Sequence, residues 1–380
     1  MAVATTSSSS SKSEAGIAIA LILCLSISKS CSTPSQGHFV EHVALFVFGD
    51  SLFDPGNNNY INTTTDFQAN HWPYGQSYFN PPSGRFSDGR LIPDFIAEYA
   101  GLPFIPAYLE PANNEFTHGA NFASGGAGAL VETHAGFVVD LQTQLRYFGE
   151  LENYYRLNLG DAKARQLLSN AVYLLSCGGN DYQYFGKPYT KEQYVDMVIG
   201  NMTNVVKGIY EKGGRKFGFV TAPLIGCWPA IRIQQPGHTC NEEINDVARL
   251  HNQALARQLQ NLEKQLEGFV YSKFDISTSI NDRMKNPSKY GFKEGELACC
   301  GSGPFRGIYS CGGMRGRKEY QVCDNATEHL FFDSFHPNEL ASRQFADLFW
   351  DGDTKVTAPY NLKQLFEGKT STTSVPNDEL

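Results

Sequence analysis

The sequence lacks the basic clusters that nucleic-acid-binding proteins use. Its 380 residues contain 31 Lys and Arg against 39 Asp and Glu, so the formal net charge is −8, and no segment gathers the positive charges. Because affinity for nucleic acid depends largely on basic residues that neutralise phosphates, we expect no nucleic-acid partner.

Motifs of zinc and dinucleotide sites are missing as well. The chain contains no CxxC pair, no HExxH run, and neither a GxGxxG nor a Walker A sequence. These are the spacings that metal geometry and phosphate binding favour, so their absence argues against both kinds of site. Apolar residues, by contrast, are plentiful at 41%, and Gly and Pro are near average usage, which predicts one large globular α/β domain without a long linker.

One apolar run, residues 15–28, lies near the N-terminus. Its 14 residues are fewer than the about 20 that a membrane-spanning helix needs. The run follows a Ser/Thr-rich start that contains Lys12 and precedes Ser-Lys-Ser at residues 28–30. We therefore predict a signal peptide over residues 1–30 rather than a membrane anchor, and no stable membrane span.

The rest of the chain is predicted to hold a short segment over residues 31–43, a single domain over residues 44–367 and a flexible tail over residues 368–380. The tail ends Asn-Asp-Glu-Leu, which differs from the Lys-Asp-Glu-Leu retrieval signal only in its first residue. Secretion is the expected localisation, with retention in the lumen of the endoplasmic reticulum as the alternative.

The cysteine count agrees with an oxidising compartment. Of nine cysteines, Cys24 would leave with the signal peptide, and the eight that remain are an even number. Sequence does not determine connectivity, but Cys227 and Cys240 flank a Pro/Gly loop, which favours a local bridge. Four more crowd one Gly-rich stretch, where local bridges are also favoured: Cys299, Cys300, Cys311 and Cys323.

Three Asn-x-Thr sequons occur, at Asn62, Asn201 and Asn325. A secreted chain presents such sites for N-glycosylation, which requires them at the surface. We expect all three positions to be exposed.

Short β-rich runs alternate with amphipathic helical patterns along the chain. Such alternation predicts parallel strands with crossover helices, hence a three-layer α/β/α sandwich whose ligand site lies at the carboxyl ends of the strands. Asn241 is the expected N-cap of the longest helix. The predicted strands are residues 44–48, 171–176, 217–221 and 269–274, and the predicted helices are residues 90–100, 191–211, 241–266 and 333–350.

Ser51 follows the first predicted strand in a polar turn, Gly49-Asp50-Ser51-Leu52. A nucleophilic serine needs a base and a group that orients the base. His336 is the one histidine with an aspartate three residues before it, Asp333, and this spacing lets the carboxylate and the imidazole face each other. The alternatives are that Ser51 only shapes a turn and that Asp333 caps the closing helix.

Two further polar loops follow strand-like segments: the Gly-rich loop over residues 119–128 and the Cys-Gly-Gly-Asn-Asp run over residues 177–181. Both are suited to an oxyanion hole, which needs preorganised hydrogen-bond donors. The Ser51 N–H, a glycine N–H from residues 125–126 and the Asn180 amide would supply three.

In chain order, the serine turn, the Gly-rich loop, the Cys-Gly-Gly-Asn-Asp run and the Asp333-x-x-His336 segment resemble the motifs of the GDSL esterase/lipase family of plants, within the SGNH hydrolase superfamily. The likeness runs over residues 44–367 and includes the segments at residues 72–75, 84–90 and 298–301. The chain lacks the Gly-x-Ser-x-Gly elbow of α/β-hydrolases, so that turn is not expected.

The resemblance implies a role for each site residue. Ser51 would be the nucleophile, His336 the base and Asp333 the group that orients it, while Gly125 rather than Gly126, together with Asn180 and the Ser51 N–H, would hold the oxyanion. It also implies a flavodoxin-like parallel sheet and no metal or organic cofactor. Some family members with similar sequences are defence-associated lipases of plants.

The expected activity is hydrolysis of acyl esters through an acyl-enzyme. The alternative is an acyltransferase that passes the acyl group to an alcohol acceptor. A third hypothesis, a non-catalytic defence-associated binding protein, is disfavoured because Ser51, Asp333 and His336 are all present. We expect an acyl ester as the partner and a monomeric chain.

Overall fold

The computed structural model describes residues 43–111, 116–183 and 185–369. The predicted signal peptide, Cys24, Cys31 and the Asn-Asp-Glu-Leu tail lie outside the described residues. Within them, no helix has both the length and the apolar character needed to cross a membrane.

The core of the fold is a twisted, mostly parallel sheet. Its first four strands are buried and pair in parallel in chain order, and the last strand pairs antiparallel at the edge. Two short strands form a separate antiparallel pair. The strands are β1 (Leu45–Gly49), β2 (Val172–Ser176), β3 (Lys216–Val220), β4 (Val270–Phe274), β5 (Cys300–Gly301), β6 (Gln321–Val322) and β7 (Thr357–Pro359).

Residues 118–124 lie along the other edge of β1. The Val47 N–H donates to the Ala120 carbonyl at 3.0 Å, and the Phe122 N–H donates back to the Val47 carbonyl at 2.8 Å. In chain order this segment comes second, after β1. With it included, the spatial order is residues 118–124, β1, β2, β3 and β4, which is the flavodoxin-like order. The order reverses next to β1, so its carboxyl end is where a ligand crevice is expected.

Helices cover both faces of this sheet. The helices are α1 (Ile92–Tyr99), α2 (Leu141–Leu159), α3 (Asp161–Asn170), α4 (Gly179–Tyr182), α5 (Lys191–Glu211), α6 (Pro229–Arg232), α7 (Glu242–Gln265), α8 (Ile276–Lys285), α9 (Glu339–Asp351) and α10 (Leu362–Phe366). Phe46, Phe48 and their neighbours pack against α2, α5 and α7, whereas Leu45 and Val47 pack with α1, α8, α9 and α10 on the other face. The predicted three-layer α/β/α architecture is confirmed.

The closing helix differs from its prediction. It was expected from Asp333, but α9 begins at Glu339 with Asn338 as its N-cap. The Asp333 side chain instead accepts the backbone N–H groups of Phe335 and His336 in the turn before the helix. Because the residue before a proline avoids the helical region, Pro337 also delays the start. Asp333 is therefore not a helix cap.

Most other element predictions differ by one or two residues at the ends. Helix α5 has the predicted bounds, and Asn241 caps α7 by accepting the Ile244 N–H at 3.2 Å. Within the described residues, six helices have no counterpart in the predictions: α2, α3, α4, α6, α8 and α10.

The disulfides are local, as expected. They join Cys227 to Cys240, Cys299 to Cys323 and Cys300 to Cys311. Among the described cysteines, Cys177 is a buried free thiol. Burial holds the pKa of this thiol well above its ordinary value, so it stays neutral.

The sequons differ in accessibility. Asn62 and Asn325 are exposed, which fits glycosylation. Asn201, however, is half-buried inside α5, and its side-chain N–H donates to the Met197 carbonyl at 2.9 Å. Asn201 is therefore less accessible than the other two sequons, and glycosylation at all three stays a prediction.

Candidate active site

The turn after β1 presents Ser51 at the reversal point of the sheet. Gly49 ends β1 with φ 140°, and a Cβ there would lie 2.1 Å from the Ser176 carbonyl oxygen. Only glycine permits this close approach of β1 to β2. The Asp50 carboxylate then accepts the Leu52 N–H at 3.1 Å, which shapes the turn around a half-buried Ser51.

The three residues predicted as a triad lie together. His336 Nε2 is 2.8 Å from Ser51 Oγ, and His336 Nδ1 is 2.7 Å from Asp333 Oδ1. Because an ionised carboxylate only accepts hydrogen bonds, Nδ1 carries the imidazole proton and Nε2 is left to accept the Ser51 hydroxyl proton. These distances have the geometry that a serine nucleophile, its base and an orienting acid require.

Asp333 is fully buried and richly hydrogen-bonded. Its Oδ1 accepts the N–H groups of Phe335 and His336 at 2.8 and 2.9 Å, and its Oδ2 accepts the Tyr74 hydroxyl at 2.6 Å. Burial by itself raises the pKa of Asp333, but His336, Tyr74 and Arg315 together outweigh burial and hold the pKa below its ordinary value. The carboxylate is thus kept ionised beside the imidazole.

The glycine expected to stabilise the oxyanion has another partner. The Gly125 N–H donates to Asp54 Oδ2 at 2.8 Å. Gly126, with φ 86°, lines the cavity beside Ser51. Among the described residues, neither the Gly126 N–H nor the Ser51 N–H has a hydrogen-bond partner. Gly126 therefore replaces Gly125 as the candidate donor.

Asn180 lies at the start of α4, where it also lines the cavity. One proton of its amide is donated to the Ala127 carbonyl at 3.0 Å, and its Oδ1 accepts the Gln183 amide at 3.2 Å. These contacts fix the amide orientation and leave its second N–H for a ligand.

Two buried carboxylates that sequence reasoning missed hold these loops. Asp54 accepts N–H groups from Gly56, Asn57 and Gly125, which joins the serine turn to the glycine loop. Asp181 accepts the N–H groups of Ala129 and Leu130 and the Thr133 hydroxyl, which joins the Asn180 loop to the same glycine loop. Their position within the two polar motifs was the available signal.

A cavity of about 360 Å³ opens at this point. Its lining includes apolar residues from the end of β3 and the loop that follows it, Val220, Pro223, Ile225 and Trp228, together with the polar residues Asp50, Ser176 and Asn180. Burial raises the pKa of Asp50 to about 7. A volume of this size is typical of small-molecule sites.

The described residues offer one close cluster of metal-ligand types, Cys227, Cys240 and Glu242. Its two sulfur atoms form a disulfide, so they are not thiolates that could bind a cation. This cluster is therefore unsuited to a metal.

Known proteins resemble the whole domain. The family model described as GDSL-like Lipase/Acylhydrolase matches residues 45–349. A GDSL lipase from Tanacetum cinerariifolium is 74% identical over 337 residues, which cover 89% of this chain and 91% of the relative. GDSL esterase/lipase 1 and GDSL esterase/lipase 5 of Arabidopsis thaliana are 52% and 51% identical, over 85% of this chain and 90% and 87% of the relatives. The resemblance stated for the four sequence segments is confirmed.

Proposed function

Because the chain belongs to the GDSL lipase/acylhydrolase family, we propose that it hydrolyses acyl esters with Ser51 as nucleophile, His336 as general base and Asp333 as the orienting acid. The observation that carries this proposal is the continuous hydrogen-bonded line from Ser51 Oγ through both imidazole nitrogens to Asp333, at 2.8 and 2.7 Å.

The first half of the reaction forms an acyl-enzyme. Ser51 Oγ attacks the ester carbonyl carbon while His336 Nε2 takes the hydroxyl proton. The negative charge on the carbonyl oxygen is stabilised by the Ser51 and Gly126 N–H groups and the Asn180 amide. When the intermediate collapses, His336 gives the proton to the departing alkoxide, which leaves as an alcohol.

Water completes the cycle. His336 takes a proton from water, the hydroxyl attacks the acyl carbon, and the oxyanion again rests on the same three donors. Collapse breaks the bond to Ser51 Oγ, which recovers its proton from the imidazole, and a carboxylic acid leaves. If an alcohol enters instead of water, the same steps make a new ester, which is the acyltransferase alternative.

The three disulfides support folding in an oxidising compartment. We accordingly propose a secreted chain, with retention in the endoplasmic reticulum as the alternative.

The test uses the purified chain without its predicted signal peptide. The reagents are a series of acyl esters of increasing chain length and a fluorophosphonate that labels activated serines. Ser51→Ala is expected to lose both turnover and labelling. Ser334→Ala is the matched control, because Ser334 is a buried neighbour of the site whose hydroxyl has no hydrogen-bond partner among the described residues. It is expected to keep both.

The outcomes separate the candidate functions. Hydrolysis with the wild type and not with Ser51→Ala supports the proposal. An added alcohol that captures most of the acyl group favours acyl transfer. A wild type that neither turns over esters nor reacts with the probe overturns the enzymatic proposal and favours a binding protein.

A further inference from the structure

Arg315 is a buried cation without an ion-pair partner. Its exposed fraction is 3%, and no described carboxylate lies within ion-pair distance. Its guanidinium donates to the carbonyls of Cys311 and Gln68, at 2.8 and 2.9 Å, and to the Tyr309 hydroxyl at 2.9 Å, while Nε has no partner among the described residues. A buried unpaired charge is costly unless a charge nearby compensates it.

The compensating charge is that of Asp333, with aromatic side chains between the two. Tyr74 donates its hydroxyl to Asp333 Oδ2 at 2.6 Å, and the Arg315 guanidinium carbon lies 5.3 Å from the centre of the Tyr74 ring. The same carbon lies 3.8 Å from the centre of the Tyr309 ring. Burial lowers the pKa of Arg315, whereas Tyr309 and Tyr74, which ionise only at high pH, and Asp333 raise it above its ordinary value. At neutral pH, Asp333 is the only charged group among these three. In a buried site of low dielectric such charges act strongly on each other.

A second buried arginine shows what is particular to this position. Arg283 is 4% exposed and likewise has no ion pair with a described carboxylate. It donates to the Gln344 side chain at 2.8 Å and to the Ser279 carbonyl at 2.9 Å. Burial lowers the pKa of Arg283, the opposite direction to Arg315. Arg283 also faces a tyrosine and a carboxylate, Tyr290 and Asp282, but there burial outweighs both.

The other titratable groups near Arg315 do not supply the missing charge at neutral pH. Burial raises the pKa of Tyr74 and of Tyr309 well above the ordinary value, so both are neutral. Burial, together with Arg315, lowers the pKa of His71, so it adds no charge. Asp66 is exposed and reaches Tyr309 through its backbone carbonyl at 3.3 Å. The charge that Arg315 meets in the interior is Asp333.

We propose that Arg315 is a positioning residue of the active site, which together with Tyr74 keeps Asp333 ionised and turned toward His336. The inference rests on the proposed function, because it assigns a purpose to the Asp333–His336 pair. Arg315 touches neither of the reacting atoms and acts through the tyrosine hydroxyl and its own charge.

A measurable consequence follows for the pH dependence. The active form of the Asp333–His336 pair keeps one shared proton, on Nδ1, and has lost the second proton, the one that would occupy His336 Nε2. A positive charge nearby makes that proton leave more easily, so removing Arg315 makes the pair keep it to higher pH. The acid limb of the rate profile then moves upward, on the order of one pH unit. A residue that only supports the fold would lower the rate without moving the limb.

The experiment measures the rate of Ser51 labelling by a fluorophosphonate, and ester turnover, across the pH range from about 5 to about 9. Arg315→Met is expected to react about tenfold more slowly at neutral pH, with its acid limb shifted upward. Arg315→Lys keeps the charge and is expected to keep the wild-type limb. Arg283→Met is the matched control, expected to lose stability at most and to leave the limb in place.

Tyr74→Phe is the second variant, which keeps the ring and removes only the hydroxyl that donates to Asp333. It is expected to shift the acid limb in the same direction as Arg315→Met but by a smaller amount. If Arg315→Met does not fold, the Tyr74→Phe profile tests the proposal instead. An unshifted limb in Arg315→Met, or in Tyr74→Phe when the arginine variant is unfolded, overturns the proposal, as does an equal shift in Arg283→Met. A wild type that fails to label at Ser51 instead refutes the proposed function.

Discussion

The two halves of the active site are held by different means. Ser51, Gly126 and Asn180 follow parallel segments of the main sheet, so backbone pairing sets their relative positions. Asp333 and His336 lie in an irregular stretch ahead of α9, outside that sheet. This stretch is held by the Cys-rich segment, since the N–H groups of residues 299 and 300 donate to the carbonyls of residues 331 and 332 at 2.9 and 2.7 Å.

The two halves are therefore expected to respond differently to substitutions. In the strand-end half, the buried carboxylates Asp54 and Asp181 connect loops whose starting points the sheet already sets. In the other half, no sheet fixes the acid and the base, and their environment depends on cross-links and on the buried pair Tyr74 and Arg315. Substitutions in the first half should therefore weaken oxyanion stabilisation, whereas those in the second should change proton affinity.

The largest effect is expected for Asp333→Asn. An asparagine amide donates where the carboxylate accepted, so the imidazole places its proton on Nε2, facing Ser51, and can no longer act as base. We expect turnover to fall by about 10⁴-fold with the fold retained. Steady-state kinetics on the best ester, together with circular dichroism, check this.

A loss of less than about tenfold in a folded Asp333→Asn enzyme would contradict the assignment of the orienting acid. Asp351→Asn is a matched control, because this exposed carboxylate makes only surface contacts with described residues, an ion pair with Lys363 and a hydrogen bond from the Asn361 amide. It should leave turnover unchanged.

The strand-end half is probed by Asn180→Ala. Removing one oxyanion donor typically lowers kcat by about 10²–10³-fold. Because the loop keeps its anchor through Asp181, the acid limb of the rate profile should stay where it is. Gln183→Ala removes one of the two contacts that orient the amide and leaves the bond to the Ala127 carbonyl, so it should cost less. A change confined to KM in Asn180→Ala would show that the amide binds substrate without stabilising the transition state.

Sequence predicts residues of both halves of the site, but for different physical reasons. Ser51 and Asn180 follow strands, and strand ends of a parallel sheet meet, so chain order was enough to bring them together. Asp333 and His336 are predicted as a pair because His336 is the third residue after Asp333, a spacing that brings two side chains together within one turn. Each of these signals is local or follows from sheet topology.

The missed features depend on contacts between distant segments. Tyr74 lies 259 residues from Asp333 in the chain, yet it donates a hydrogen bond to it. The choice between Gly125 and Gly126 was decided by the Asp54 carboxylate, which takes the Gly125 N–H. No spacing rule contains such information, because it arises only when loops pack.

The cross-linked half is tested by removing the Cys300–Cys311 disulfide with alanine at both positions. Opening a loop of 11 residues is expected to lower the free energy of unfolding by about 3 kcal/mol. Arg315 donates to the Cys311 carbonyl, so the acid limb should also move upward, as in Arg315→Met. Denaturant unfolding and the labelling profile measure the two effects.

Removing the Cys227–Cys240 disulfide provides the control, since it closes a loop of similar size, with a separation of 13 residues. The stability loss should be comparable and the limb unmoved. If both double variants shift the limb alike, the Cys-rich segment has no particular hold on the acid and the base.

The smallest effect is expected for Asp50→Asn, at a residue that lines the cavity in the strand-end half. Burial raises the folded-state pKa of Asp50 to about 7 from an ordinary 3.8, so the folded protein prefers the neutral carboxyl. This contribution to stability is complete below about pH 4 and is lost as the pH rises through about 7. The amide carries no such penalty and still accepts the Leu52 N–H through its oxygen. Asp50→Asn should therefore match the wild type near pH 4 and exceed it near pH 8 by on the order of 1–2 kcal/mol, since the open cavity lets solvent reduce the full effect. Thermal unfolding at the two pH values measures the difference, and an Asp50→Asn curve parallel to the wild type would mean that the carboxylate is stabilised in the folded state by contacts that offset its burial.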